Sequence, residues 1–259
     1  MILNITFGAK IPVKVCQVPD RVSIYSAMSA AKHTNYDNMI LGLSLFEGDK
    51  WIPSVQTEIN KPAIDYIKEL AQNFNIPVKI ACVTNIKQAQ DLISELQKMG
   101  NRVFDIFQLH SVMSLKDMQK VKSVYPNSKI LAKIAISPQA QVQELETKAL
   151  QYAQDENTSG ILLDSYAPST GSLIDWNIAK HIIDLIHQKT SKPVGIAGGI
   201  SPKNAKQALE QTGADLLDAN TGFKFSKEEW IGAEPIPKSP FAIMDVLNTA
   251  KKYSTDYEL

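Results

Sequence analysis

The apolar run Gly160–Leu163 leads straight into Asp164, in ILLDSYAPSTGSLIDW, and the run Pro12–Gln17 carries Cys16 close to its end, in PVKVCQ. A carboxyl group that closes a buried strand is partly desolvated, and desolvation raises its pKa toward the range where it can donate a proton. Asp164 lies too far ahead of the next helix to cap it, and Asp175 is the better cap. Strand side chains alternate in direction, so Val13 and Val15 point one way while Lys14 and Cys16 point the other. If that second direction is inward, a partly exposed thiol there acts as a base once cations or helix N-termini draw its pKa below the free value of about 8.5. An inert, packed thiol is the alternative.

Two small-residue turns suggest an anion site. IAGGISPKN places Gly198 and Gly199 after one apolar run and just ahead of a helix with Pro202 in its first turn; LLDANTGFK places Asn220, Thr221 and Gly222 after the next. Backbone N–H groups in such turns approach an anion closely because no Cβ obstructs them. His110, ending FQLH, either bonds a ligand or satisfies backbone groups at the rim. Cys82 sits among apolar neighbours in IACVT and reads as core.

Eight short apolar runs must position these groups: Pro12–Gln17, Asn38–Leu45, Pro77–Thr84, Phe104–Leu109, Lys129–Ile136, Gly160–Leu163, Pro193–Ala197 and Asp215–Ala219. Amphipathic segments of helical length separate them, at Asp20–Thr34, Lys61–Phe74, Ile86–Met99, Ser114–Tyr125, Pro138–Gln154, Asp175–Lys189 and Pro202–Gln211, and a closing helix follows at Pro240–Tyr253. Strand and helix alternating eight times over 259 residues predicts a single α/β domain, a (β/α)8 TIM barrel spanning 1–259, with an irregular segment at about 222–240. No G-x-G-x-x-G follows the first strand, which weakens a dinucleotide fold. In such a barrel the site forms at the C-terminal ends of the strands. Phosphate is commonly held after strands seven and eight, which is where the two glycine turns fall.

Composition narrows the partners. Lys and Arg number 27 against 27 Asp and Glu, without the basic excess that nucleic-acid or anionic-membrane binding requires. The N-terminal residues lack a sustained apolar stretch, so no signal peptide or membrane span is expected and a cytoplasmic protein is the default. Two cysteines without metal spacing predict neither a disulfide scaffold nor a metal site.

At these positions the sequence resembles the phosphoribosylanthranilate isomerases of tryptophan biosynthesis. V-K-V-C at Val13–Cys16 parallels the family's V-K-I-C-G, and F-Q-L-H at Phe107–His110 parallels V-Q-L-H-G. L-L-D-S with T-G-x-x-I-D-W falls at Leu162–Trp176, A-G-G-I-S-P-x-N at Ala197–Asn204, and G-A-D-x-x-D-x-x-T-G runs through Gly222. The resemblance implies a ribulose-phosphate-binding type of barrel and an Amadori rearrangement of a phosphoribosyl amine, aldose to ketose. It makes Cys16 the general base and Asp164 the general acid, with no metal or organic cofactor, in a monomer or homodimer. It implies substrate or phosphate contacts at His110, Gly198, Gly199, Asn220, Thr221 and Gly222, and at Thr170 and Gly171, which stand in the family's G-G-T-G loop. The family's substrate-contacting arginine after strand two has at best Lys50 as its counterpart. Gln17 replaces the glycine after the cysteine, Ser111 the one after the histidine, and the family's G-x-K-D sequence beyond strand eight is not found. These departures touch anthranilate and rim contacts more than the acid, the base or the phosphate turns. A non-catalytic phospho-ligand-binding paralogue, or another phosphate-barrel lyase or epimerase with a changed substrate, are the alternatives.

Overall fold

The structure, a computed structural model, describes residues 11–18, 20–48, 52–100, 102–110, 113–166, 172–226, 228–230, 232 and 235–256. Eight parallel strands close in sequence order: β1 (Val13–Val15), β2 (Met39–Leu45), β3 (Val78–Thr84), β4 (Ile106–Leu109), β5 (Lys129–Ile136), β6 (Gly160–Ser165), β7 (Val194–Ile196) and β8 (Leu216–Ala219), with β8 pairing back onto β1. Helices α1 (Arg21–Thr34), α2 (Pro53–Phe74), α3 (Ala89–Gln97), α4 (Leu115–Val124), α5 (Val142–Gln154), α6 (Trp176–Lys189), α7 (Ala205–Thr212) and α8 (Pro240–Asp256) follow the strands in turn. This is the expected (β/α)8 barrel.

The alternation of side chains makes two cores. Ile40, Ala81, Ile106, Leu131, Leu162, Ala197 and Leu216 fill the barrel interior. Their strand neighbours, Val13, Val15, Leu41, Cys82, Phe107 and Leu163 among them, pack outward in the larger cluster shared with the helices. Lys14 and Asp164 fall on the inward parity, which meets the condition set for β1 in the sequence. Cys82 lies on the outward parity of β3, two strands from β1, and both cysteines are free.

Several helix starts differ from expectation. α2 begins at Pro53, not Lys61, and carries Pro62 inside it. An internal proline removes one helical hydrogen bond and costs about 3 kcal/mol. Here tertiary bonds hold the first turns in place: Gln56 Nε2 donates to Phe46 O (2.7 Å), Phe46 N to Gln56 Oε1 (2.9 Å), and Asn60 Nδ2 to Ser44 O (2.9 Å). α7 starts at Ala205, so Pro202 sits in a turn ahead of the helix. Asp175 is the N-cap of α6, accepting from the amides of Asn177 and Ile178. Thr221–Phe223 form one 3-10 turn after β8, and the segment beyond it is mostly irregular, with a bridge between Lys224 and Lys238.

Candidate active site

Sheet bonding continues past the strand ends and fixes the residues there. Cys16 N donates to Ala219 O (2.8 Å), His110 N to Thr84 O (2.7 Å) and Ala197 N to Leu163 O (2.7 Å). At this end a cavity opens, and Cys16, His110, Asp164, Gly198, Gly199, Asp218, Asn220, Thr221 and Gly222 all line it. The structure thus brings the predicted acid, base and glycine turns to one opening. Lys50, Thr170 and Gly171 lie outside the described residues.

The two glycine turns pack against each other. A Cβ on Gly222 would stand 2.0 Å from Ile200 O, and one on Gly198 2.9 Å from Ser165 Cβ. Gly198 and Gly199 also take φ values of 89° and 70°, in the left-handed region that other residues rarely enter. Among the described residues their amides donate to no protein acceptor, so both donors remain for a ligand. Asn204 braces the turn, donating from Nδ2 to Gly199 O and accepting from Ser201 N, both at 2.9 Å.

Asp164 is nearly buried and ion-paired, with Lys133 Nζ 2.8 Å from Oδ2. Burial pushes its carboxyl above the ordinary range, and Lys133 opposes that only in part. The upward shift expected of a carboxyl group at a strand end is therefore found, at Asp164.

Cys16 departs from expectation. Its thiol is 7% exposed rather than open, and burial pushes its pKa up instead of down. Lys14 and Lys238 pull the other way, while Asp218 reinforces the rise. Lys14 Nζ lies 3.3 Å from Sγ and 2.9 Å from Asp218 Oδ2. Burial alone draws an ammonium down, but Asp218 and Cys16 more than compensate, leaving Lys14 above its ordinary value.

His110 stands between these groups. Its ring nitrogens face Gln108 Nε2 at 2.9 Å and Lys133 Nζ at 3.5 Å. Burial first, then Lys133 and Lys14, push its pKa down to about 2, so the ring is neutral. Gln108 Nε2 also reaches Asp218 Oδ2 at 3.3 Å. Among the described residues Asp218 Oδ1 is buried beside the cavity and accepts no hydrogen bond.

Lys133, Gln108, Asp218 and Lys238 were missed as site groups by sequence reading. The available signal was period two: Lys133 shares its direction with Leu131, and Asp218 with Leu216. Lys238 gave no such signal; it enters from the irregular segment and donates to Asn220 O (2.8 Å) and to Asn220 Oδ1. Asn220 Nδ2 in turn donates to Gln17 Oε1 (2.8 Å), and Gln17 holds a left-handed φ of 55°.

Comparison with known proteins agrees with this geometry. The chain is 27% identical over 231 residues to N-(5'-phosphoribosyl)anthranilate isomerase of Thermosynechococcus vestitus, covering 85% of this chain and 84% of that one. The structure of N-(5'-phosphoribosyl)anthranilate isomerase from Pyrococcus furiosus shares its fold with a TM-score of 0.65 at 14% identity, covering 93% and 99% of the two chains. A phosphoribosyl anthranilate isomerase in complex with reduced 1-(o-carboxyphenylamino)-1-deoxyribulose 5-phosphate matches with a TM-score of 0.63 at 15% identity, over 93% and 99%. Residues 54–224 match the family model described as N-(5'phosphoribosyl)anthranilate (PRA) isomerase, and the chain belongs to that family.

Proposed function

We propose that the chain isomerises N-(5'-phosphoribosyl)anthranilate in tryptophan biosynthesis, by an Amadori rearrangement under general acid and base catalysis. The observation that carries this reading is that Cys16 and Asp164, on strands separated by β7 and β8, face one cavity beside two glycine turns.

Asp164 gives its proton to the furanose ring oxygen. The C1–O bond breaks, and the nitrogen lone pair forms a C1=N iminium. Cys16, as thiolate, takes the C2 proton, and the electrons of that C–H bond neutralise the iminium to give an enolamine, which tautomerises to the 2-ketone. No atom is gained or lost. Burial favours the protonated form of Asp164, and Lys133 stabilises the carboxylate left behind. The amides of Gly198 and Gly199, with the Thr221–Gly222 turn, hold the phosphate. His110 and Asn220 contribute polar contacts along the wall, and Thr170, Gly171 and Lys50 complete the substrate contacts.

The protein acts as one domain over 1–259, in the cytoplasm, as a monomer or homodimer. Its balanced charge supports small-molecule rather than nucleic-acid or membrane partners. Among the described residues no helix is long and apolar enough to cross a membrane. A second reading, a phosphorylated sugar amine with another substituent on nitrogen, is favoured by Gln17, whose amide, bonded by Asn220, occupies the wall where the family has a glycine.

Adding the protein to phosphoribosylanthranilate should abolish the substrate's fluorescence. Absence of turnover at high protein concentration rejects that substrate.

A further inference from the structure

Lys14 and Cys16 stand two residues apart at the end of β1, so both side chains enter the barrel in one direction, with Nζ 3.3 Å from Sγ. On its other side the same ammonium meets Asp218 Oδ2 at 2.9 Å, across a register in which Lys14 and Asp218 are paired. Lys14 has no solvent exposure and does not line the cavity; it sits behind the sulfur, not in front of it. We propose that Lys14 is a positioning residue for Cys16: its ammonium, clamped by Asp218, is the counter-ion against which the sulfur carries negative charge. The use made of that sulfur rests on the isomerase reading, whereas its contact with the clamped ammonium is a property of the free protein.

Charge counting fixes the signs. With Lys14 and Asp218 paired, an ionised sulfur is a second anion sharing one cation. Without Lys14, the sulfur faces Asp218 alone and ionises at higher pH. With Asp218 neutralised, the thiolate becomes the partner of a buried ammonium that otherwise has none, and ionises at lower pH. A role in packing alone would not move the sulfur in opposite directions. Lys238, from the segment before α8, is a further cation acting on Cys16; Asp20 and Lys224 act in turn on Lys238, and all three persist in every variant below.

The test is a thiolate titration of the unliganded full-length protein, read by ultraviolet absorbance and by the pH dependence of iodoacetamide alkylation. Cys16→Ser supplies the baseline, and Cys82, fully buried, is pushed far above the ordinary thiol range. Lys14→Met should raise the midpoint by about one to three pH units, and Asp218→Asn should lower it. Lys14→Met strands the Asp218 carboxylate, so the double variant Lys14→Met with Asp218→Asn, which strands no charge, decides the matter if the single one does not fold. Its midpoint should lie above wild type, because the ammonium touches the sulfur directly while Asp218 bonds the ammonium. Midpoints in Lys14→Met or the double variant at or below wild type overturn the proposal, as does an upward move in Asp218→Asn. No isomerase assay enters the titration, so failure of the proposed activity and failure of this inference are told apart.

Discussion

Lys133 Nζ lies 2.8 Å from Asp164 Oδ2, on neighbouring strands, with both side chains almost closed to solvent. The pair sets two opposed demands on one carboxyl group: burial favours the protonated form, and the ammonium favours the carboxylate. Replacing Lys133 with Met removes the second demand. The loss of kcat/KM that accompanies deprotonation of Asp164 should then move to higher pH, by about one to three pH units. A pH profile whose alkaline limb stays in place would show that Lys133 does not act on the acid.

His110 links acidity to stability. Its folded pKa of about 2 lies below the ordinary histidine value, so below about pH 6.5 the unfolded chain binds a proton that the native ring refuses. The group's contribution is present above that pH and is lost as pH falls, at no more than about 1.4 kcal/mol per pH unit. Denaturant melts between pH 7 and pH 5, in wild type and His110→Asn, should show a shallower loss of stability in the variant. Parallel slopes would place the acid sensitivity elsewhere.

Gly222→Ala tests the contact between the two glycine turns. The added methyl would stand 2.0 Å from Ile200 O, so one turn must move. Overpacking of this kind costs about 1–3 kcal/mol. Thermal unfolding should drop by several degrees, and competitive inhibition by inorganic phosphate should weaken. An unchanged melting temperature with unchanged phosphate inhibition would mean that the turns need not touch.

Much of this architecture was legible before the coordinates. Strand positions are strongly periodic here, and alternation alone puts Lys14 and Cys16 on the same side of their strand; which side faces inward came from the barrel. Polar partners were not legible. Lys133 announces its direction by alternation with Leu131, but its partner lies 31 positions on, at Asp164; chain order makes β5 and β6 neighbours in a barrel, yet it does not give the register that sets these two side chains together. Lys238 is harder still, because it reaches Asn220 from irregular backbone that has no period. The start of α2 was missed because Pro62, next to Lys61, suits the first turn of a helix, while the side chains that hold the earlier turns, Gln56 and Asn60, bond to backbone groups at and just beyond the end of β2. The thiol's electrostatics failed for a related reason: exposure at a strand end was assumed, and the close packing that removes it is tertiary.

Steady-state kinetics of Cys16→Ala and Asp164→Asn on phosphoribosylanthranilate, followed by loss of substrate fluorescence, bear most directly on the pairing of a thiol base with a carboxyl acid. Each substitution should lower kcat by about a hundredfold or more with the fold intact by circular dichroism. Full activity in either variant would contradict the account.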